Sequence, residues 1–234
     1  MDTETKRGVV RWLIREVIAG SAFAGLSLFL PARTLNWPMG WALVGIYLTW
    51  TTATALLLIP RSPDLLIERM ARRKDAKKWD AAIMSVVGLA TLAKHIVAGF
   101  DFHDGWTTNV WQVPLALQIA ALIVAALGYA LGVWAMTANA YFSKIVRIQD
   151  DRGQTVATGG PYRYVRHPGY TGTVLFELTT PIMLGSLWAL IPGGLAAVLM
   201  IVRTALEDKT LQEELAGYKE YTEQTRYRLL PGVW

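Results

Sequence analysis

The chain has 234 residues, is 53% hydrophobic and 18% charged, carries a formal net charge of +5 and contains no cysteine. Long uninterrupted apolar runs mark an integral membrane protein rather than a soluble domain. Without cysteine there is no disulfide or thiolate metal site, His95, His103 and His167 lack any close metal-ligand spacing, and the excess of Lys and Arg follows membrane topology rather than a nucleic-acid face.

The first predicted helix covers residues 11–31. Arg11, Arg15 and Glu16 lie inside it and no small-residue cleavage pattern follows, so it reads as a span and not as a cleaved signal peptide. A second span is predicted over 38–59, within the charge-free stretch Thr34–Ile59; roughly 20 apolar residues suffice to cross. The segment RSPDLLIERMARRKDAKKWD, residues 61–80, is mixed-charge and helix-favouring, and is expected to lie along anionic headgroups. A third span, 81–100, holds only Lys94 and His95 as cations, and a fourth, 113–137, holds no charge. The run 167–202 is too long for one crossing: as a single helix it would measure about 54 Å at about 1.5 Å per residue, against a hydrocarbon core of about 30 Å. Gly185, Ser186, Pro192, Gly193 and Gly194 in its middle predict a helical hairpin instead, with arms near 170–186 and 188–206 and a bend at Pro181.

The basic residues test this count. With six spans, the N-terminus, 61–80, 138–168 and the segment from 203 onward share one side and hold 21 of the 23 Lys and Arg residues. Such an excess belongs to cytoplasmic segments, so both termini are expected in the cytoplasm, and a five-span topology would send the last basic segment across. Trp37, Trp41, Trp106, Trp111 and Trp188 fall near the opposite boundary, as an interfacial aromatic belt would. The expected architecture is therefore an all-α integral membrane protein of about six helices, the last two a hairpin, followed by a cytoplasmic C-terminal helix and tail. The sequence has no internal repeat or second domain, so 1–234 is read as one unit.

Two polar clusters remain after spans and belt are set aside. GGPYRYVRHPGYTG, Gly159 to Gly172, opens the hairpin, and RTALEDKTLQEELAGYKEYTEQTRYRLLPGVW, from Arg203, follows it. Because a hairpin returns to its starting level, His167 and Glu207 are expected to be neighbours. Arg203 and Glu207, four apart, share a helix face. Pro161 and Pro168 push Gly160 and His167 toward extended backbone, and the glycines permit close approach of a ligand. A rigid interfacial connector and a snorkelling arginine account for the same residues without any ligand.

GPYRYVRHPGYTG followed by RTALEDKTL, GYKEY and RYRLLPG resembles the isoprenylcysteine carboxyl methyltransferase family, and more broadly the membrane methyltransferases that include phospholipid N-methyltransferases. The resemblance covers roughly Asn139 to the C-terminus. It implies S-adenosylmethionine as methyl donor, bound by residues 139–234 at the cytoplasmic side; no strand followed by a glycine-rich turn offers the soluble-fold alternative. Position by position, His167, Pro168, Tyr170 and Gly172 match the family's cofactor-binding motif, and Glu207 and Asp208 match its acidic pair, with an aspartate where a second glutamate is usual. Gly159, Gly160, Pro161 and Tyr162 are expected to wall the adenosine or methionine part. Arg203 and Arg166 match the arginines that would position an acceptor carboxylate; a carboxylate is already ionised at pH 7 and needs no general base, whereas an amine acceptor would draw on Glu207 or His167. Asn139 and Phe142, at the end of the fourth span, are candidates for lining the acceptor channel, though a polar residue at a helix end is also a common cap. The implied partners are the bilayer and a lipophilic or prenylated acceptor, with no metal and no nucleic acid. An NADPH-dependent lipid reductase, using Arg147, Arg152 and Arg163 for the extra phosphate, and a non-enzymatic scaffold are the readings from other classes.

Overall fold

The computed structural model describes residues 3–69 and 77–234 and is all-helical over them. Its first helix is continuous in direction but changes pitch: α1 (Thr3–Leu13) passes through a π-helical stretch (Ile14–Ala19) into α2 (Gly20–Ala32). α3 (Pro38–Leu58) begins with proline at its first position, where the missing N–H costs nothing. α4 (Pro63–Glu68) is a short connector, and residues 70–76 of the expected headgroup segment lie outside the described residues. α5 (Lys78–Asp104) ends at Gly105 in the left-handed conformation, φ 72°. α6 (Leu115–Thr137) is followed by an irregular stretch, then α7 (Pro168–Met183), α8 (Leu190–Glu214) and the short α9 (Tyr218–Gln224).

Among the described residues, five helices are long and apolar enough to cross a membrane: Arg7–Ala32, Pro38–Leu58, Lys78–Asp104, Leu115–Thr137 and Leu190–Glu214. The expected hairpin forms, turning at Leu184–Ala189 with Gly185 at φ 77°. Its first arm departs from expectation in length: α7 has 16 residues, about 24 Å at about 1.5 Å per residue, short of a full crossing. Pro181 is accommodated in the last turn of α7 and Pro192 in the first turn of α8, where no amide donor is needed. The basic segments converge on one end of the bundle. Lys144 pairs with Glu16 at 2.5 Å, Arg69 donates to the Phe142 carbonyl at 3.0 Å, and Arg203 pairs with Asp80 at 2.6 Å. At the other end, Asp101 accepts from the Thr107 amide and the Ser186 hydroxyl, locking the α5 exit to the hairpin turn. Trp41, Trp106, Trp111 and Trp188 are exposed there, whereas Trp37 is buried and stacks on Phe102, 4.5 Å between centroids.

α6 and α7 approach backbone to backbone because glycines face each other. A Cβ on Gly172 would lie 2.2 Å from the Gly128 carbonyl oxygen, and one on Gly128 would lie 2.7 Å from that of Gly172. Small residues let helices associate closely in lipid, where no hydrophobic gain drives them together. Gly172→Leu is therefore expected to cost 1–3 kcal/mol or more through overpacking, read as a lower melting temperature in detergent. Gly88→Leu, with nothing within 4 Å of its Cβ position, is expected to leave the melt unchanged.

Candidate active site

Asp208 organises the basic end. It is fully buried and both oxygens are saturated: Oδ1 receives Arg166 Nε at 2.7 Å and the Tyr218 hydroxyl at 3.1 Å, with His167 Nε2 3.2 Å away. Oδ2 receives Arg166 Nη2 at 3.0 Å, Arg228 Nε at 2.8 Å and Gln212 Nε2 at 2.8 Å. The remaining fork of Arg166 donates to the carbonyls of Thr225 and Arg226, and hydrogen bonding and attraction from Asp208 outweigh the cost of burial and hold its guanidinium pKa up. The backbone repeats the tie: the amides of Arg166 and His167 donate to the carbonyls of Tyr227 and Arg228 at 2.9 Å. One carboxylate thus joins the start of α7, the middle of α8, α9 and the tail.

Beside this hub lies a narrow cleft. Its aromatic wall is Tyr162, Tyr218 and Tyr221, its apolar wall includes Val156, Leu211 and Leu215, and its polar groups include Asn139, Gln149, Gln154 and Glu207. Burial pushes the Tyr221 phenol up to about 12 and those of Tyr162 and Tyr218 higher still, so all three stay neutral hydrogen-bonding groups at working pH. Glu207, half-buried, accepts a short hydrogen bond from the Tyr170 hydroxyl. Tyr170 also stacks parallel to His167, 5.7 Å between centroids at 5°.

A second chamber, of about 370 Å³, runs into the bundle between α3, α5, α6, α7 and α8. Phe142, Ser143, Gly169 and Tyr170 belong to both linings and form the partition. Three cations, Arg69, Lys144 and Arg203, stand at the chamber's mouth. Arg203 is held on three sides: Nε to Asp80 at 2.6 Å, Nη1 to the Tyr170 hydroxyl at 2.5 Å, and Nη2 to the Lys144 carbonyl at 3.1 Å. It also lies over the Tyr170 ring, 4.9 Å from its centroid. Burial pushes Arg69 down to about 10, so it keeps its charge at neutral pH, and pushes Lys144 below its usual value.

Of the residues expected to hold the cofactor, Tyr162, His167, Tyr170 and Glu207 line the cleft. The others are placed differently, for physical reasons. Gly159, Gly160 and Pro161 build the 3₁₀ turn that delivers Tyr162; Gly160 has φ 56° and a Cβ there would meet Ala138 at 2.9 Å. Pro168 starts α7, Gly172 sits against Gly128, and Asp208 is enclosed by its five side-chain partners and lines neither cavity. Arg166, expected to position an acceptor, spends its fork on Asp208 and two carbonyls, whereas Arg203 does face the chamber. Asn139 falls on the cleft rather than the chamber, bonded to the Tyr162 hydroxyl at 3.2 Å; Phe142 borders both.

Sequence reasoning missed Arg69, Asp80, the 141–157 wall of the cleft, and a buried pair in the chamber. Lys94 Nζ meets Glu177 Oε2 at 2.6 Å, the lysine with no exposed surface and the glutamate buried but reaching the chamber. The available signal for this pair was a lone acid in one apolar run and a lone lysine in another, since ionisable groups in lipid are costly unless partnered.

The fold and site define a class: a helical membrane protein with a polar, aromatic-walled cleft at one end of the bundle, sharing a wall with a chamber inside it. Residues 119–213 match the isoprenylcysteine carboxyl methyltransferase family, so the resemblance carried by the motifs holds over that stretch. Two relatives named probable protein-S-isoprenylcysteine O-methyltransferase, from Oryza sativa subsp. indica and subsp. japonica, are each 25% identical over 139 residues, 58% of this chain and 70% of theirs. A solved eukaryotic intramembrane Ras methyltransferase, an isoprenylcysteine carboxyl methyltransferase, shares the fold with a TM-score of 0.60 over 91% of this chain and 75% of its own, at 18% identity.

Replacing Asp208 by Asn removes the charge that three cationic or imidazole groups, Arg166, His167 and Arg228, face. Breaking a buried pair from one side costs about 3–5 kcal/mol, so D208N is expected to lower the melting temperature sharply and to free the 225–234 tail for limited proteolysis.

Proposed function

We propose that this protein is a membrane methyltransferase that transfers the methyl group of S-adenosylmethionine to the carboxylate of a lipophilic, isoprenylcysteine-type acceptor. The observation that carries this reading is the partition: one polar, aromatic cleft and one cation-mouthed chamber share Tyr170 and Phe142, so a water-soluble donor and a lipid acceptor can meet without crossing each other's path. The relatives' names give the reaction class.

The cleft's chemistry fits the cofactor. Tyrosines and aliphatic side chains suit an adenosine, while Glu207 and Gln154 offer acceptors and donors for ribose hydroxyls or an amino group. When bound, S-adenosylmethionine supplies a methyl group on a positively charged sulfur. The chain's own residues do the rest. Tyr170, bonded on one side to Glu207 and on the other to Arg203, links the two sites. Arg203, fixed by Asp80 and the Lys144 carbonyl, presents a preorganised cation to the acceptor carboxylate, and a planar guanidinium suits that geometry. Arg69 and Lys144 add positive charge at the same mouth against Glu16 and Asp80. An ionised carboxylate is attracted there, whereas an acceptor arriving as an ammonium is repelled. Enclosure by the bundle excludes water and strengthens these interactions. With the basic segments gathered at this end, it faces the cytoplasm by the positive-inside rule, with both termini on that side.

Of the three arginines that the reductase reading would use for the extra phosphate, two are already engaged: Arg147 donates to Glu68 at 2.8 Å and to Asp151 at 2.8 Å, and Arg152 donates to Gln149 and the Ala140 carbonyl, while Arg163 is exposed.

Calorimetric titration of the detergent-solubilised protein with S-adenosylhomocysteine should give saturable one-to-one binding, and NADPH in parallel none; the reverse pattern would replace the methyltransferase with a reductase. Glu207→Gln is expected to weaken S-adenosylhomocysteine binding by at least about tenfold, the loss of one charge-assisted contact. Arg203→Lys keeps a cation beside Asp80 but loses the fork, and is expected to retain that binding while lowering kcat/KM about 100-fold.

A further inference from the structure

We infer that the Lys94–Glu177 pair is the floor of the acceptor chamber and limits the acceptor to a short apolar arm, about that of a geranyl group; this rests on the methyltransferase reading above. The chamber runs inward along α5 past Met84, Val87 and Thr91 and along α7 from Tyr170 to Glu177. Seven residues of helix separate Tyr170, at the mouth, from Glu177, a rise of about 10 Å. At that depth the lining turns from apolar to charged. Glu177 Oε2 holds Lys94 Nζ at 2.6 Å, Oε1 accepts from the Thr91 hydroxyl at 3.3 Å, and the ammonium lies 5.0 Å from the Phe176 ring centroid.

Lys94 itself is sealed behind Glu177, with no exposed surface, while Glu177 and Thr91 reach the chamber wall. Close packing fixes the floor's position. A Cβ on Gly193 would meet the Glu177 carbonyl at 2.7 Å and the Lys94 side chain at 3.3 Å, so α8 leaves the pair no room to retreat. A hydrocarbon tail longer than the chamber would have to press on this ion pair or displace it, and the cost of disturbing a buried charge pair is of the same order as the gain from burying one more isoprene unit, so extra tail length is not rewarded there. Fixed depth with a polar end makes a length filter. Nothing in methyl transfer calls for an ion pair two helical turns from the reacting carboxylate, whereas tail selection does.

The test measures radioactive methyl incorporation by the full-length protein into N-acetyl-S-geranyl-, S-farnesyl- and S-geranylgeranyl-cysteine, with S-adenosylhomocysteine affinity and melting temperature measured on the same samples. The wild type is expected to favour the geranyl compound over the longer two by at least about tenfold in kcat/KM, the discrimination that pocket length can give. Replacing both charges at once, Lys94→Met with Glu177→Leu, leaves no unpaired buried charge and is expected to bring the three acceptors within about threefold, with cofactor affinity unchanged. Equal use of all three by the wild type overturns the floor and means the tail leaves the chamber sideways, past Trp50 and Tyr129. A wild-type preference that survives in a folded double variant overturns the role of the pair. If no prenylcysteine is methylated although S-adenosylhomocysteine binds, the acceptor class is wrong and the floor falls with it.

Discussion

A single buried carboxylate, Asp208, sets the geometry on which both cavities depend. Its oxygens are shared by Arg166, His167, Arg228, Gln212 and Tyr218, and these come from the α7 entrance, α8, α9 and the tail. A buried charge must be compensated by partners of fixed geometry, so the segments that carry those partners have little freedom to move separately. That constraint puts His167 parallel to Tyr170 and sets the cleft's tyrosine wall. The acid that the motif marked for a ligand is thus spent on architecture, and its neighbour Glu207, one position round the helix, is the one turned to the cleft.

The second constraint is that charge inside the bundle must be paired and that helices must touch closely. Arg203 is placed by Asp80, which also accepts the Val146 amide at 2.8 Å, so α5, α8 and the irregular stretch after α6 meet around one cation. Gly128 and Gly172 bring α6 and α7 into backbone contact, which aligns Tyr129 and Phe176, 4.3 Å between ring centroids, on the chamber wall. The functional chemistry at the mouth and the ion pair below it are both consequences of polar groups that had to find partners once the helices were assembled.

Much of this was legible in the chain. The apolar runs located the long helices to within a few residues, because apolar length is dictated by the bilayer and needs no partner to be read. The hairpin followed from length plus glycine and proline, and the neighbourhood of His167 and Glu207 followed from the hairpin. The motif residues Tyr162, His167, Tyr170 and Glu207 reached the cleft. The division of labour among them did not follow: Arg166 and Arg203 look alike in sequence, and only their partners separate a structural clamp from a cation facing the chamber. Arg69, placed by its charged surroundings at the lipid surface, turns inward to Phe142.

The sequence by itself determined that this is a helical membrane protein with its basic segments gathered at one end and its polar motifs around the last hairpin, since hydropathy, charge bias and turn residues act locally along the chain. Only the tertiary structure decided which acid faces the cleft and which one braces, where the partition between the two cavities falls, and that Lys94 lies against Glu177. Those choices depend on contacts between residues far apart in the chain, 42 positions between Arg166 and Asp208 and 123 between Asp80 and Arg203, and no spacing rule along one segment contains them.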